Sequence, residues 1–266
     1  MRRFGFVMPA AALVLGGVGY VFRSLELLNM ESGASGPDAK VLMSFSVAAG
    51  IVFLIVSILC ARRFAVNGEF PKAFGSASVA GLLVQILLGA AFMADGVICA
   101  LSPGLFEGYS IAVQRIFGVL GAVSGAAVAM LALYGYKGGR KGGWAGLFSV
   151  IPALFLCMWI VMVYRSNATN PDILSFGYDC LAIAAAAFAF YYWAGYVYGR
   201  RGLFRTMFSS LAAIYLLPVM AAGLQNAALI GLTALLTVIL CVNTCIFISN
   251  FQPKGGGETA GRGRAA

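Results

Sequence analysis

The sequence contains no histidine, and this absence removes a large group of membrane-protein chemistries. Histidine-ligated haem, histidine-bound zinc and a Ser–His or Cys–His catalytic pair are all excluded. The 6 cysteines lie inside apolar segments, and no two of them have the spacing of a zinc site. We therefore predict no catalytic residue, no metal site and no cofactor, and we expect that the protein is not an enzyme.

Charge is also scarce, because only 10% of the residues are charged whereas 61% are hydrophobic. Soluble domains are about 25% charged and about 45–50% apolar. A soluble fold of this size cannot hide so much apolar surface, but a lipid bilayer solvates it. The apolar runs are continuous, whereas the strands of an outer-membrane barrel alternate. The predicted fold is all-α, a polytopic transmembrane bundle of about eight helices.

Eight apolar segments are each long enough to cross a bilayer, which requires about 20 residues. They are Phe4–Phe22, Val41–Ala61, Phe74–Leu101, Tyr109–Tyr134, Trp144–Tyr164, Ile173–Tyr198, Leu203–Ala222 and Ala227–Ile248. Short turns join most of them, so neighbouring helices should be antiparallel. We predict a single transmembrane helical domain over residues 1–252. A Gly-rich, basic and disordered cytoplasmic tail is predicted over residues 253–266.

The first segment has two interpretations. Met1-Arg2-Arg3 before an apolar run is typical of a signal peptide, and cleavage would leave seven helices. The run is long, however, no small-residue cleavage site follows it, and Arg23 comes directly after it. These features favour a retained first helix.

The placement of lysine and arginine predicts the orientation, since cytoplasmic loops are enriched in both residues. If the N-terminus is cytoplasmic, only four of the 18 lysines and arginines fall on the outer half: Arg23, Lys40, Arg115 and Arg165. Both termini are therefore predicted to be cytoplasmic. The net charge of +9 is explained by this asymmetry, so the expected partner is the lipid bilayer and not a nucleic acid.

Three ionisable residues fall inside predicted helices, where charge is costly and often functional. Asp95, Arg115 and Asp179 each lie about 9 Å from the outer end of a predicted helix. Asp95 and Arg115 could form an ion pair that locks one helical hairpin. Alternatively, all three could line an outward-facing polar cavity with Gln114, or each could reach the membrane interface separately.

One pattern, spread over about residues 150–205, resembles uncharacterised multi-pass membrane proteins of Gram-positive gut bacteria. Its residues are Trp159, Tyr164-Arg165, Asn170-Pro171, Asp179, Tyr191-Tyr192, Gly195 and Gly199-Arg200. The resemblance implies a bacterial inner-membrane protein and implies no particular activity.

The sequence leaves two functions open for such a protein, and it does not predict an oligomeric state. A small transporter or permease-like protein, with a small-molecule or ion substrate, would gather Asp95, Arg115 and Asp179 around a water-filled cavity. An accessory or sensory membrane protein would be a dry bundle, with Asp95 paired to Arg115 and Asp179 bonded locally. The transporter is the favoured interpretation.

Overall fold

A computed structural model of the chain describes residues 4–31, 38–66, 68–102, 104–106, 108–136, 138, 144–168, 173–200 and 202–254. Eight helices in these ranges are long and apolar enough to cross a membrane, which confirms the all-α prediction. The helices are α1 (Phe4–Glu31), α2 (Asp38–Arg63), α3 (Phe70–Phe74), α4 (Val79–Leu101), α5 (Ile111–Tyr136), α6 (Trp144–Ser166), α7 (Ile173–Val197), α8 (Leu203–Ala221) and α9 (Ala227–Ser249). Residues 255–266 of the predicted tail lie outside the described residues.

The helix bounds differ most from the prediction in two places. α1 continues past the predicted end at Phe22 as far as Glu31, so Arg23 lies in a helix and not in a loop. The predicted segment Phe74–Leu101 is divided between the short α3 and the spanning α4. The division is encoded locally, because the Ser78 hydroxyl accepts a hydrogen bond from the backbone of the first turn of α4.

One end of the bundle carries a two-stranded pairing, and we call this end the strand face. There β1 (Phe64–Ala65) pairs antiparallel with β2 (Gln252–Pro253), directly after α2 and α9 end. Asn250 donates hydrogen bonds to carbonyl oxygens of Ala73 and Gly75, which holds α3 against the end of α9. We call the other end of the bundle the opposite face.

The centre of the bundle is α8, which packs against α1, α2, α7 and α9. In α8 67% of the spanning window is buried, compared with 22% in α2, so α2 lies at the periphery. The buried residues of α8 include Met207, Leu211, Ile214 and Leu217. α8 can therefore form the floor of any site between its neighbours.

α4 and α5 pack against each other at glycine residues, where the two backbones are closer than larger side chains would permit. A Cβ atom built on Gly96 would lie 2.3 Å from the backbone nitrogen of Ala122, and one on Gly118 would lie 2.2 Å from that of Ala100. Small residues allow such close helix approach in lipid. This contact fixes the rotation of both helices, and thereby the direction of every other side chain on them.

Candidate functional site

The structure does not bring Asp95 and Arg115 together. Asp95 is half-buried on α4 and faces α9, where its Oδ1 would lie 3.1 Å from a Cβ atom built on Gly231. Arg115 on α5 is exposed, and no ion pair joins the two residues in the described ranges. The glycine contact between α4 and α5 is the physical reason, since it leaves both charged side chains outside the interface of this hairpin.

Gln114 is a structural clamp and does not meet the other predicted site residues. Its Oε1 accepts a hydrogen bond from the Leu105 backbone at 2.8 Å. Its Nε2 donates to the carbonyl oxygens of Phe106 at 3.1 Å and Tyr109 at 3.0 Å. The amide thus holds the segment between α4 and α5 in place.

Asp179, by contrast, lies within electrostatic range of Arg23, the arginine that follows the first predicted apolar segment. Arg23 and Glu26 on α1 are only 1% and 3% exposed, and the guanidinium donates to the Glu26 carboxylate at 2.7 Å. Arg23 also lies 5.3 Å from the centre of the Tyr178 ring. It is the one cation with an electrostatic effect on Asp179 in the described part of the chain. A buried charge is tolerated when it is paired, and this pairing explains how α1 carries two of them.

Three hydroxyl groups extend this arrangement across the bundle. Ser46 on α2 and Tyr215 on α8 are hydrogen-bonded at 2.8 Å, and Tyr178 on α7 lines the same cavity as both. Together with the charged residues above, these three residues form a set that we call the polar cluster. Its members are Arg23, Glu26, Ser46, Tyr178, Asp179 and Tyr215.

The polar cluster occupies one layer inside the membrane-spanning region. Three members lie six residues inward from the ends of their spans at the opposite face, which is about 9 Å of helix, and Asp179 lies three residues inward from its span end, which is about 4.5 Å. These members and the span ends are Arg23 with Asn29, Ser46 with Lys40, Tyr215 with Ala221, and Asp179 with Phe176. Ionisable groups at such depth mark a functional site by default, because they are costly there.

A groove of about 810 Å³ begins at the polar cluster, and we call it the lateral groove. Its floor is α8 and its walls are α2 and α7, whose outer residues Val47, Leu181 and Phe188 are exposed, so the groove opens to the side of the bundle. It follows α8 from Phe204 to Leu216. That length is about 18 Å, more than half of a hydrocarbon core of about 30 Å.

The lining of the lateral groove is mostly apolar, and most of its polar groups lie toward the two ends. Ser46, Tyr178 and Tyr215 lie at the end near the opposite face, Arg205 lies at the end near the strand face, and Ser209 lies about midway along α8. Ligand pockets commonly have volumes of about 300–1,000 Å³, apolar walls and a few placed polar groups. The lateral groove fits this description in both size and composition.

Arg205 is the point at which three cavities meet. Besides the lateral groove it lines a cavity of about 500 Å³ with Arg200 and another of about 510 Å³ with Lys254. Gly199, two residues after the end of α7, has φ of 73°, and this turn positions Arg200. We call Arg200, Arg205 and Lys254 the basic mouth. Within the described ranges no carboxylate lies within ion-pair distance of any of the three.

No family model, curated protein or solved structure matches this chain. Its function must therefore be argued from its own residues. Among the described residues, no three cysteine or acidic side chains are grouped as a metal site requires. Of the residues that carry the resemblance, Trp159 is buried against Phe117 and Phe155, and Asn170-Pro171 lies outside the described residues.

Proposed function

We propose that this integral membrane protein is a small transporter whose substrate is a lipid-like amphiphile with an anionic head group. The observation that carries the proposal is the lateral groove, which is mostly apolar and open to the side, with most of its polar groups toward its ends. In this proposal the substrate enters from the bilayer and its hydrocarbon chain lies along α8. Its head group pairs with Arg205 in the basic mouth.

Charge complementarity supports an anionic head group. Arg205 is exposed, lines all three cavities and has no carboxylate partner among the described residues. Arginine binds phosphate and carboxylate groups through parallel hydrogen bonds. Basic pockets between membrane helices recognise the head groups of anionic lipids for this reason. Arg200 and Lys254 add positive charge on either side of Arg205.

The proposal includes an orientation, with the strand face in the cytoplasm of a bacterial cell and the protein in its inner membrane. The described lysines and arginines near the strand face outnumber those near the opposite face, as expected for a cytoplasmic side. They are Arg62, Arg63, Lys72, Arg200, Arg205 and Lys254, against Arg23, Lys40, Arg115 and Arg165. The head group would then come from the cytoplasmic leaflet, whose surface is negatively charged in anionic lipids.

The test fills the lateral groove and measures lipid binding and lipid movement separately. Ala212 on α8 lines the groove, so Ala212→Trp should block the hydrocarbon chain. Ala94 on α4 is exposed outside the groove, and Ala94→Trp is the matched control. The probe for binding is fluorescent phosphatidylglycerol titrated into purified protein. The probe for transport is the same lipid with a quenchable head group in proteoliposomes.

We expect Ala212→Trp to weaken binding by at least about tenfold, which corresponds to about 1.4 kcal/mol, and to slow lipid movement by a similar factor. Ala94→Trp should behave as the unchanged protein does. Arg205→Gln should weaken the binding of phosphatidylglycerol but not of a zwitterionic lipid. Equal binding and equal lipid movement in the two tryptophan variants would refute the proposal.

A second candidate is an accessory membrane protein that binds the amphiphile without moving it. The observation that favours it is that interior polar groups are bonded locally: Gln85 donates to Asn243 at 2.7 Å, and Gln114 clamps its own loop. Moreover, Asp95 and Arg115 do not meet at the lateral groove. Normal binding in the titration with no lipid movement in proteoliposomes would favour this candidate.

A further inference from the structure

We infer that a small cavity between α3, α4, α5, α7 and α9 binds one water molecule, which donates a hydrogen bond to the side-chain oxygen of Gln85. The cavity has a volume of about 20 Å³, and Gln85 on α4 and Asn243 on α9 both line it. We call this cavity the amide site. The residues that line it do not line the lateral groove, so the site does not depend on what the groove binds.

The hydrogen bonds of the two amides determine which atom of Gln85 is left free. The Asn243 Nδ2 donates to the carbonyl oxygen of Ile239 at 2.9 Å, so the Oδ1 of the same amide is the atom available to Gln85. Gln85 must then present its own donor, and its Nε2 donates to Asn243 Oδ1 at 2.7 Å. The Gln85 Oε1 remains as a buried acceptor without a hydrogen-bond partner among the described residues. A ligand of the amide site therefore has to donate a hydrogen bond.

This acceptor lies deep in the membrane-spanning region. Gln85 is 2% exposed and Asn243 is 9% exposed. Each lies six residues inward from the end of its span at the strand face, which is about 9 Å of helix. The hydrocarbon core of a bilayer offers no solvent that could bond the oxygen, and a buried polar group without a partner is costly. A bound water molecule commonly removes this cost inside proteins.

The size and the polarity of the amide site fit one water molecule. A buried water needs about 10–15 Å³ of space and about two to four polar partners. The cavity of about 20 Å³ has room for one such molecule. Asn243 Oδ1 has a second lone pair, so the water can donate one hydrogen to each of the two amide oxygens. None of the described residues that line the site is charged, so it offers no counter-charge for an ion of the same size.

Aromatic side chains complete the wall of the amide site and provide reporters for the water. The indole nitrogen of Trp193 donates to the hydroxyl group of Ser210 at 3.3 Å. The Phe74 ring lies 5.3 Å from the Trp193 ring, and both residues line the cavity. Phe74 is 2% exposed and Trp193 is 6% exposed, so bulk solvent has little access to either ring.

The test is X-ray hydroxyl-radical labelling of the purified protein in nanodiscs, read residue by residue by mass spectrometry. Radicals that form from a bound water oxidise the side chains beside it, even when those side chains are buried. We expect oxidation of Phe74 and Trp193. Phe155 and Trp159 are the matched internal controls, because they are 1% and 0% exposed and do not line the amide site. They should stay unlabelled.

Gln85→Met keeps the length of the side chain but removes the acceptor. The labelling of Phe74 and Trp193 should therefore fall to the level of the two internal controls. Ala132→Val serves if Gln85→Met does not fold, because Ala132 lines the amide site and the added methyl groups take up the space of the water. It should cause the same loss of labelling.

Ala91→Val is the matched control variant, because Ala91 is exposed on α4 and does not line the amide site. It should leave the labelling of Phe74 and Trp193 unchanged. Two results would overturn the inference. One is an unchanged protein in which Phe74 and Trp193 are labelled no more than the internal controls. The other is undiminished labelling in Ala132→Val or in a folded Gln85→Met.

Discussion

Adding one methyl group between α4 and α5 should destabilise the protein more than any change at a lipid-facing glycine. At Gly118 a Cβ atom would lie 2.2 Å from the backbone nitrogen of Ala100 and 2.5 Å from its Cα atom. Ordinary van der Waals contacts of a Cβ atom begin at 3.4 Å. The obstacle is backbone, which cannot rotate away as a side chain can. Gly118→Ala therefore forces the two helices apart by about 1 Å.

The size of the effect follows from two opposing contributions. Overpacking a well-packed interior typically costs about 1–3 kcal/mol. Replacing glycine by alanine inside a helix stabilises it by up to about 1 kcal/mol. We therefore expect Gly118→Ala to lower the free energy of unfolding by about 1–2 kcal/mol.

Gly17 on α1 provides the matched control, because a Cβ atom there meets nothing within 4 Å. Gly17→Ala should leave the stability unchanged or raise it by up to about 1 kcal/mol. The assay is unfolding in mixed micelles of increasing sodium dodecyl sulfate, followed by circular dichroism. If Gly118→Ala proves as stable as Gly17→Ala, the close packing described for α4 and α5 does not exist in the membrane protein.

Two further changes test the interior hydrogen bonds by the same unfolding assay. Asn243→Leu leaves the buried Gln85 amide without its partner and should lower the free energy of unfolding by about 1–3 kcal/mol. Adding Gln85→Leu should recover most of that loss. A double variant that is less stable than Asn243→Leu would contradict this. Gln114→Ala removes bonds to Leu105, Phe106 and Tyr109, so amide hydrogen exchange should accelerate in that segment. Unchanged exchange there would show that the clamp has no effect.

The spanning helices could be predicted from the sequence because each is a continuous apolar run, and such a run is stable as a helix in the hydrocarbon core of a bilayer. The predicted bounds of the fifth segment, Trp144–Tyr164, differ from those of α6 by only two residues at one end. The short α3 was missed, since five residues are too few to produce a periodic pattern. Its signals are Pro71 at the first turn and Gly75 after the last one.

The polar cluster could not be predicted, because its members come from four helices. Arg23 and Glu26 end the apolar run of α1, and hydropathy alone therefore reads them as a loop. One local signal does exist: their spacing of three residues puts both side chains on one helical face, as an intrahelical ion pair requires. The contact with Tyr178 and Asp179 depends on how α1 and α7 pack around α8, and no pattern along the chain encodes that packing.

Asp95 and Arg115 show the converse limit, in which the helix that carries a residue is predictable and the direction of its side chain is not. Both were placed correctly on consecutive antiparallel helices. Whether they meet depends on the rotation of each helix about its axis. Close contacts at Gly96 and Gly118 fix that rotation through backbone atoms, and the charges follow.

Arg205 and Arg23 differ in exposure and in pairing, and this difference determines how a substrate could use the site. Arg205 is exposed without a carboxylate partner in the described ranges, so it can accept an anionic head group immediately. Arg23 is 1% exposed and bonded to Glu26, so an incoming anion must first displace that carboxylate. In the proposed transporter, a head group moving from the strand face to the opposite face would therefore meet Arg205 first, and it would reach Arg23 only by competing with the Glu26 carboxylate.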